Sequence, residues 1–207
     1  MDLSEFAKTV LKEVSDLMIQ KPIETDRVFL RPFREGDLND LFEFLSQKEQ
    51  QRLSGNIPVE SVEDAREILM WIMDTSHPVT CFAVALKQSG KVIGNFSIGR
   101  YPFLEMDETL RQKRGVSLSC VLNEYWWRQG IMSAVFRAAF ARFFLDADLE
   151  FVNAGYFDFN EASGGMQKKL GMRHWMDHVY EHDGRRITTK EMILWREDYL
   201  QTNSAIK

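Results

Sequence analysis

The sequence predicts an α/β protein, more narrowly an α+β arrangement in which helices pack on one mixed sheet. Three observations lead there. Strand-like runs and amphipathic stretches follow in the order β-α-α-β-β-β-α-β-α-β-β. The clearest helix carries Met132, Val135, Phe136, Ala139, Phe140, Phe143 and Phe144 on a helical period between two strand-like runs. Two turn signals, Ser89-Gly90 and Asp183-Gly184, join neighbouring strands as hairpins.

Residues 2–19 read as an amphipathic helix, with Leu3, Ala7, Val10, Val14 and Leu17 along one stripe and Pro22 beyond its end. That stripe suits packing on its own domain or a homodimer contact, and both readings stand. Val28–Phe33 alternates as a strand, with Pro32 marking an edge or an end. Leu38, Leu41, Phe42 and Leu45 give a helix over 37–46, and residues 55–58 a loop. Ser61-Val-Glu-Asp64 has the form of a capping box and opens a helix through Ile68, Leu69, Ile72 and Met73. Residues 80–86, 91–98 and 115–122 are strands, and 99–114 reads as a mobile loop over a site. Phe151–Gly155 is a short strand. Glu161–Leu170 is a helix stopped by Gly171, and 173–181 and 186–195 form the last hairpin.

At 207 residues the chain fits one domain, divided here into an appended helix over 1–21 and a body over 22–207. A net charge of −5 gives no basic footprint, which argues against nucleic acid and fits, weakly, a cationic substrate. No window is apolar for long enough to span a membrane, and the acidic start lacks the form of a signal peptide, so a cytoplasmic protein is expected. Cys81 and Cys120 lie in apolar runs as reduced core thiols.

Trp127-Arg-Gln-Gly130-Ile-Met-Ser133 lies between a strand and the long helix. An anion site needs that context: open backbone N–H groups at the positive end of a helix dipole, with Gly130 letting the backbone come close. On its own, one glycine reads first as a plain turn before a core helix. Asn160 and Ser163 open the next helix, where Asn160 is also a good N-cap.

Four segments carry a resemblance. Thr25–Asp37, Gly90-Lys-Val-Ile-Gly94, Tyr125–Ser133, and Asn160-x-x-Ser163 with Leu170-Gly-Met172 occur in order over residues 23–200. In these the chain resembles the GNAT superfamily of N-acetyltransferases, in the branch of the ribosomal-protein N-terminal acetyltransferases. The resemblance implies the GNAT acyl-CoA N-acyltransferase fold, with residues 2–19 as an extra N-terminal helix. It implies acetyl-CoA as acyl donor, no metal, and direct attack by a primary amine, either a protein N-terminus or a small molecule. In such a protein the strand at 115–122 carries a bulge and splays from its neighbour to admit pantetheine. A backbone N–H at Val121 or Leu122 faces the thioester carbonyl. The loop Trp127, Arg128, Gln129, Gly130, Ile131, Met132 and Ser133 holds the pyrophosphate. Asn160 binds the pantetheine arm, and Ser163 meets the sulfur and is the candidate to protonate the thiolate.

The chain departs from those relatives at three positions. Arg128 stands where glycine is usual, Ser117 where a carboxylate is often found, and Ala134 where glutamate is common. The general base therefore stays open among Glu105, Asp107, Asp158 and a water held by Ser117 or Ser119. A domain that binds acyl-CoA without turnover is the alternative. His174, His178 and His182 share a strand face too widely spaced for one metal. Cys120 is a core thiol before it is a nucleophile. Tyr125-Trp126-Trp127 reads as packing under the loop, and Met70–Met73 as either the buried face of its helix or an acceptor-cleft wall.

Overall fold

The computed structural model describes residues 4–55, 59–182 and 185–204. The fold is one seven-stranded sheet in the order β1-β2-β3-β4-β5-β7-β6. The strands are β1 (Val28–Pro32), β2 (Thr80–Leu86), β3 (Val92–Gly99), β4 (Gly115–Leu122), β5 (Phe151–Phe157), β6 (Arg173–His182) and β7 (Arg185–Trp195). All pair antiparallel except β4 with β5. The helices are α1 (Glu5–Gln20), α2 (Leu38–Leu45), α3 (Lys48–Ser54), α4 (Val62–Met73), α5 (Pro102–Met106), α6 (Ile131–Ala141), α7 (Glu161–Lys169) and α8 (Arg196–Ser204). Among the described residues no helix is long and apolar enough to cross a membrane.

Each sheet face has its own apolar core. On one, Ala7, Val10, Leu11, Val14 and Met18 of α1 pack with the phenylalanines of α6 and with Met166 and Leu170 beside α7. The stripe of α1 is thus spent on its own sheet, with Met18 rather than Leu17 as its last buried member. Every apolar position read on the long helix is buried, Phe143 and Phe144 because α6 runs on through a π turn at Arg142–Asp146. On the other face, α2 and α4 cover β1–β3, and Phe103 and Leu104 of α5 pack with Phe151 and Ile193. The capping box is complete: Asp64 N–H donates to Ser61 Oγ and Ser61 N–H to Asp64 Oδ2.

Four expectations are corrected. The 99–114 segment is not a loose loop. It holds α5, and the guanidinium of Arg100, wholly buried, donates to Glu105 and to the carbonyls of Leu110, Arg111, Lys113 and Gly115. The strand at 115–122 has no bulge, since its pairing with β3 runs evenly from Gly94↔Leu122 to Gly99↔Ser117. In β6, Trp175 is an extra residue between His174↔Met192 and Met176↔Glu191, which turns His178 to the face opposite His174. Tyr125 is exposed rather than packed under the loop. The Asp183-Gly184 turn and Leu3 lie outside the described residues.

Candidate active site

Parallel pairing of β4 with β5 covers Gly115↔Phe151, Val116↔Val152 and Ser117↔Asn153, then stops. Beyond Ser117 the two strands diverge and leave a split between Leu118–Leu122 and Ala154–Phe157. The N–H of Asn123 bonds back to Ile93 O on β3. Because neighbouring N–H groups in a strand alternate sides, Val121 points to β3 and Leu122 into the split. Of these two N–H groups, that of Leu122 is the one that faces the split.

At the end of β4 the chain turns through residues 124–126 into the loop. Trp127 Nε1 donates to Leu122 O at 2.7 Å, pinning the loop to the lip of the split. Arg128 takes φ 57° and Gly130 φ 75°. Gly130 is the N-cap of α6 and no side chain caps that end, so the N–H groups of Ile131, Met132 and Ser133 point out of the helix. The side chains of Ile131 and Met132 are buried, which leaves only their backbone to meet a ligand. Arg27 reaches across to Gln129 Oε1 at 2.8 Å and stacks over Trp126. Beside the loop, Arg27, Gln129, Gly130, Ala134 and Arg137 line a groove of about 460 Å³.

The opposite lip is α7. Asn160 caps it, its Oδ1 accepting from Ser163 N–H at 3.1 Å and its Nδ2 donating to Leu53 O of α3 at 3.0 Å. Both ends of that amide thus already serve the chain. Ser163 Oγ accepts from Gln167 Nε2 at 3.2 Å, and Gln167 Oε1 is buried with no partner among the described residues. Helix α3 and its N-cap residue Gln47 span the two lips: Gln47 bonds Asn123 and the Glu124 N–H, and Leu53 holds Asn160.

Several groups considered for acid–base work are committed elsewhere. Burial works to raise the Glu105 carboxyl, but bonds from Ser4 and Arg100 outweigh it and hold it below the ordinary carboxylate value. Asp107 is lowered by bonds from Thr109 and Leu110 in its turn. Ser117 Oγ is buried and accepts from Tyr101 N–H. Burial pushes the Cys120 thiol up to about 12, so it is protonated at neutral pH and unsuited to attack a thioester.

One carboxylate escaped the sequence reading. Glu191 on β7 is 3% exposed and lies over Gly155 of β5, where a Cβ would come within 2.6 Å of its Oε1. Asn153 Nδ2 donates to it at 3.2 Å. Burial pushes its carboxyl up, against the pull of Asn153, Thr189 and the charge of His178. The signal available was a glutamate before the apolar run Met192–Trp195.

The fold has counterparts among known proteins. A model of the acetyltransferase (GNAT) domain matches residues 27–173. The chain belongs to the GNAT acetyltransferase family. Its reaction class is accordingly acetyl-CoA-dependent N-acetyl transfer. Solved structures of the same fold include a GNAT acetyltransferase from Bacillus anthracis, 18% identical with a TM-score of 0.71, covering 85% of this chain and 99% of that one. A putative ribosomal-protein-serine acetyltransferase from Vibrio cholerae is 16% identical, with a TM-score of 0.66 and coverage of 84% and 97%. Spermidine N-acetyltransferase from Vibrio cholerae, in complex with CoA and spermine, is also 16% identical, with a TM-score of 0.67 and coverage of 85% and 99%.

Against GNAT relatives, Arg128 is a non-glycine residue in the left-handed region. The loop keeps its turn there at a cost of about 1–2 kcal/mol. Arg128→Gly should therefore raise the melting temperature by about 2–4 °C per kcal/mol recovered, measured by calorimetry. With the coenzyme's phosphates on this loop, loss of the cation would weaken coenzyme A binding at low salt more than at high salt. An unchanged melting temperature would mean that the arginine relieves the strain through contacts of its own.

Proposed function

We propose that this protein moves an acetyl group from acetyl-CoA to a primary amine, a protein N-terminus or a small-molecule amine, by direct attack. The observation that carries the reading is the split itself, which opens at Ser117↔Asn153 between the Leu122 N–H and Ser163 and ends at an uncapped helix. In this reading the pyrophosphate lies on the N–H groups of Gln129, Gly130, Ile131, Met132 and Ser133, with Arg128 adding charge beside it. Trp127 fixes the loop. Pantetheine runs along the split past Val121, and the Leu122 N–H steadies the carbonyl oxygen as it becomes an oxyanion. Asn160 shapes the far lip and offers its remaining N–H to the pantetheine arm. Because Gln167 donates to Ser163 Oγ, the serine hydroxyl is left to donate its own proton to the departing sulfur.

The test is release of free thiol from acetyl-CoA with a panel of spermidine, free amino acids and a peptide bearing an N-terminal serine. Turnover of one of these supports the reading. Tight acetyl-CoA binding with no turnover would instead favour an acyl-CoA-binding module. Within that assay Ser163→Ala should lower kcat by about a hundredfold while acetyl-CoA affinity, read by calorimetry, barely moves. Equal losses in both would make Ser163 a binding contact.

A further inference from the structure

The acetyl-transfer reading leaves the amine's proton without a destination, and the sheet face opposite α6 supplies one. We propose that Glu191 is the general base: together with Asn153 Oδ1 it holds the acceptor's ammonium group beside the split and removes its proton. This inference rests on the acetyl-transfer reading and names the class of acceptor, a cationic amine.

Four observations carry it. Glu191 is a buried carboxylate, and among the described residues no lysine or arginine lies within ion-pair distance of it. Such groups stay buried where they hold a proton or where something compensates the charge, as a cationic ligand does. Asn153 is fully buried and spends both amide hydrogens, on Glu191 Oε2 and on Met192 O. That fixes its orientation and leaves Oδ1 buried with no partner among the described residues, an acceptor next to the carboxylate. The position is also right. Asn153 belongs to the last β4–β5 pair, and Glu191 pairs with Gly155, the first residue on this face beyond that pair. The lack of a side chain at Gly155 is what lets the carboxylate lie there. Finally, on this same face Ser119 of β4, two residues beyond Ser117, is solvent-exposed.

The surroundings are short of competing charge. His178 on β6 faces Glu191 and acts on it electrostatically. On the segment packed against this face, Arg100 and Glu105 neutralise one another. On β4 and β5 the neighbours are Ser117, Ser119 and Asn153, all uncharged. Lys190 and Asp177 pair with each other on the far face of the hairpin.

The step balances as follows. One N–H bond of the ammonium breaks, its electrons stay on nitrogen, and the proton goes to a Glu191 oxygen. The neutral amine forms a C–N bond to the thioester carbon. The C–S bond then breaks with its electron pair on sulfur, and the second proton shed by nitrogen ends on the thiolate. Glu191 returns its proton to solvent after the products, an amide and coenzyme A, have left. A carboxylate held above its ordinary value is a better match to this task than an exposed one.

The experiment compares full-length wild type with Glu191→Gln and Glu191→Asp on the best acceptor of the amine panel, at saturating acetyl-CoA across neutral to alkaline pH. Glu191→Gln should lose about a hundredfold in kcat/KM for the amine near neutral pH. The deficit should shrink steadily as pH rises and the amine deprotonates in solution, and Glu191→Asp should recover part of the rate. The acetyl-CoA dissociation constant should not change. The melting temperature of Glu191→Gln should equal or exceed wild type, since a buried charge is removed. A deficit constant across pH, or no deficit, overturns the assignment while leaving acetyl transfer intact. Wild type that binds acetyl-CoA yet acetylates no amine overturns both.

Discussion

Replacing Gly130 by aspartate will weaken coenzyme A binding by well over about tenfold, while Gly130→Asn will weaken it far less. Sterics do not decide the outcome, because a Cβ at this glycine meets nothing within 4 Å. Backbone strain does not separate the two variants either. Both aspartate and asparagine tolerate the left-handed conformation that residue 130 requires, φ 75° here. What differs is charge. A carboxylate at the N-cap would take the place proposed for the phosphates on the N–H groups of Ile131, Met132 and Ser133 and would repel them as well. At close range, with the dielectric of a protein surface, one such repulsion is about 1–4 kcal/mol, and about 1.4 kcal/mol is tenfold in affinity. Calorimetric titration of acetyl-CoA into both variants decides it. Equal affinity in the two would place the pyrophosphate elsewhere, whatever becomes of the acetyl-transfer reading.

The open helix end at Gly130 was legible because its signal is local. A glycine between a strand and a strongly periodic helix marks an open helix end, and the same local logic revealed the capping box at Ser61 and the stop at Gly171. Helix α3 was illegible for the opposite reason. Lys-Glu-Gln-Gln-Arg-Leu-Ser has no apolar stripe, and Gln50 is its one buried residue. It is held by contacts that no local window contains: Glu124 Oε1 accepts from the Gln50 N–H, and Asn160 bonds Leu53 O. The very polar α8 was missed likewise, being held by Tyr199 against Phe144. Glu191 stayed hidden because its partner Asn153 is 38 residues away and its burial is set by the pairing of β5 with β7. A carboxylate in a strand reads as a solvated one until the sheet shows which face it is on.

The 99–114 segment makes the same point with the largest consequence for stability. Its polar, aperiodic sequence reads as a loop, yet Arg100 converts it into a fixed element. Arg100→Met should destabilise the fold by about 3–5 kcal/mol, because it removes one partner of a buried pair and strands the other. Glu105, 7% exposed, would keep its charge with only Ser4, through its N–H and its hydroxyl, to meet it. The carbonyls of Leu110, Arg111, Lys113 and Gly115 would lose their donor at the same time. For a chain of this size the loss corresponds to a fall of about 10 °C in melting temperature. Adding Glu105→Leu to Arg100→Met should restore part of it by removing the stranded charge, and a strictly additive double variant would show the two side chains to be uncoupled. The pH dependence has a definite sign. The Glu105 carboxyl is held below its unfolded value, so its contribution is present above the ordinary carboxylate range and is lost as pH falls through the folded value. Arg31 and Asp37, doubly bonded at 2.7 Å, act in the same direction, since burial raises Asp37 but the bonds from Arg31 and the Arg34 N–H outweigh it. Acid unfolding of the wild type should therefore begin below the ordinary carboxylate range. The Arg100→Met variant should lose less stability than the wild type over that fall in pH, because protonation relieves its stranded glutamate.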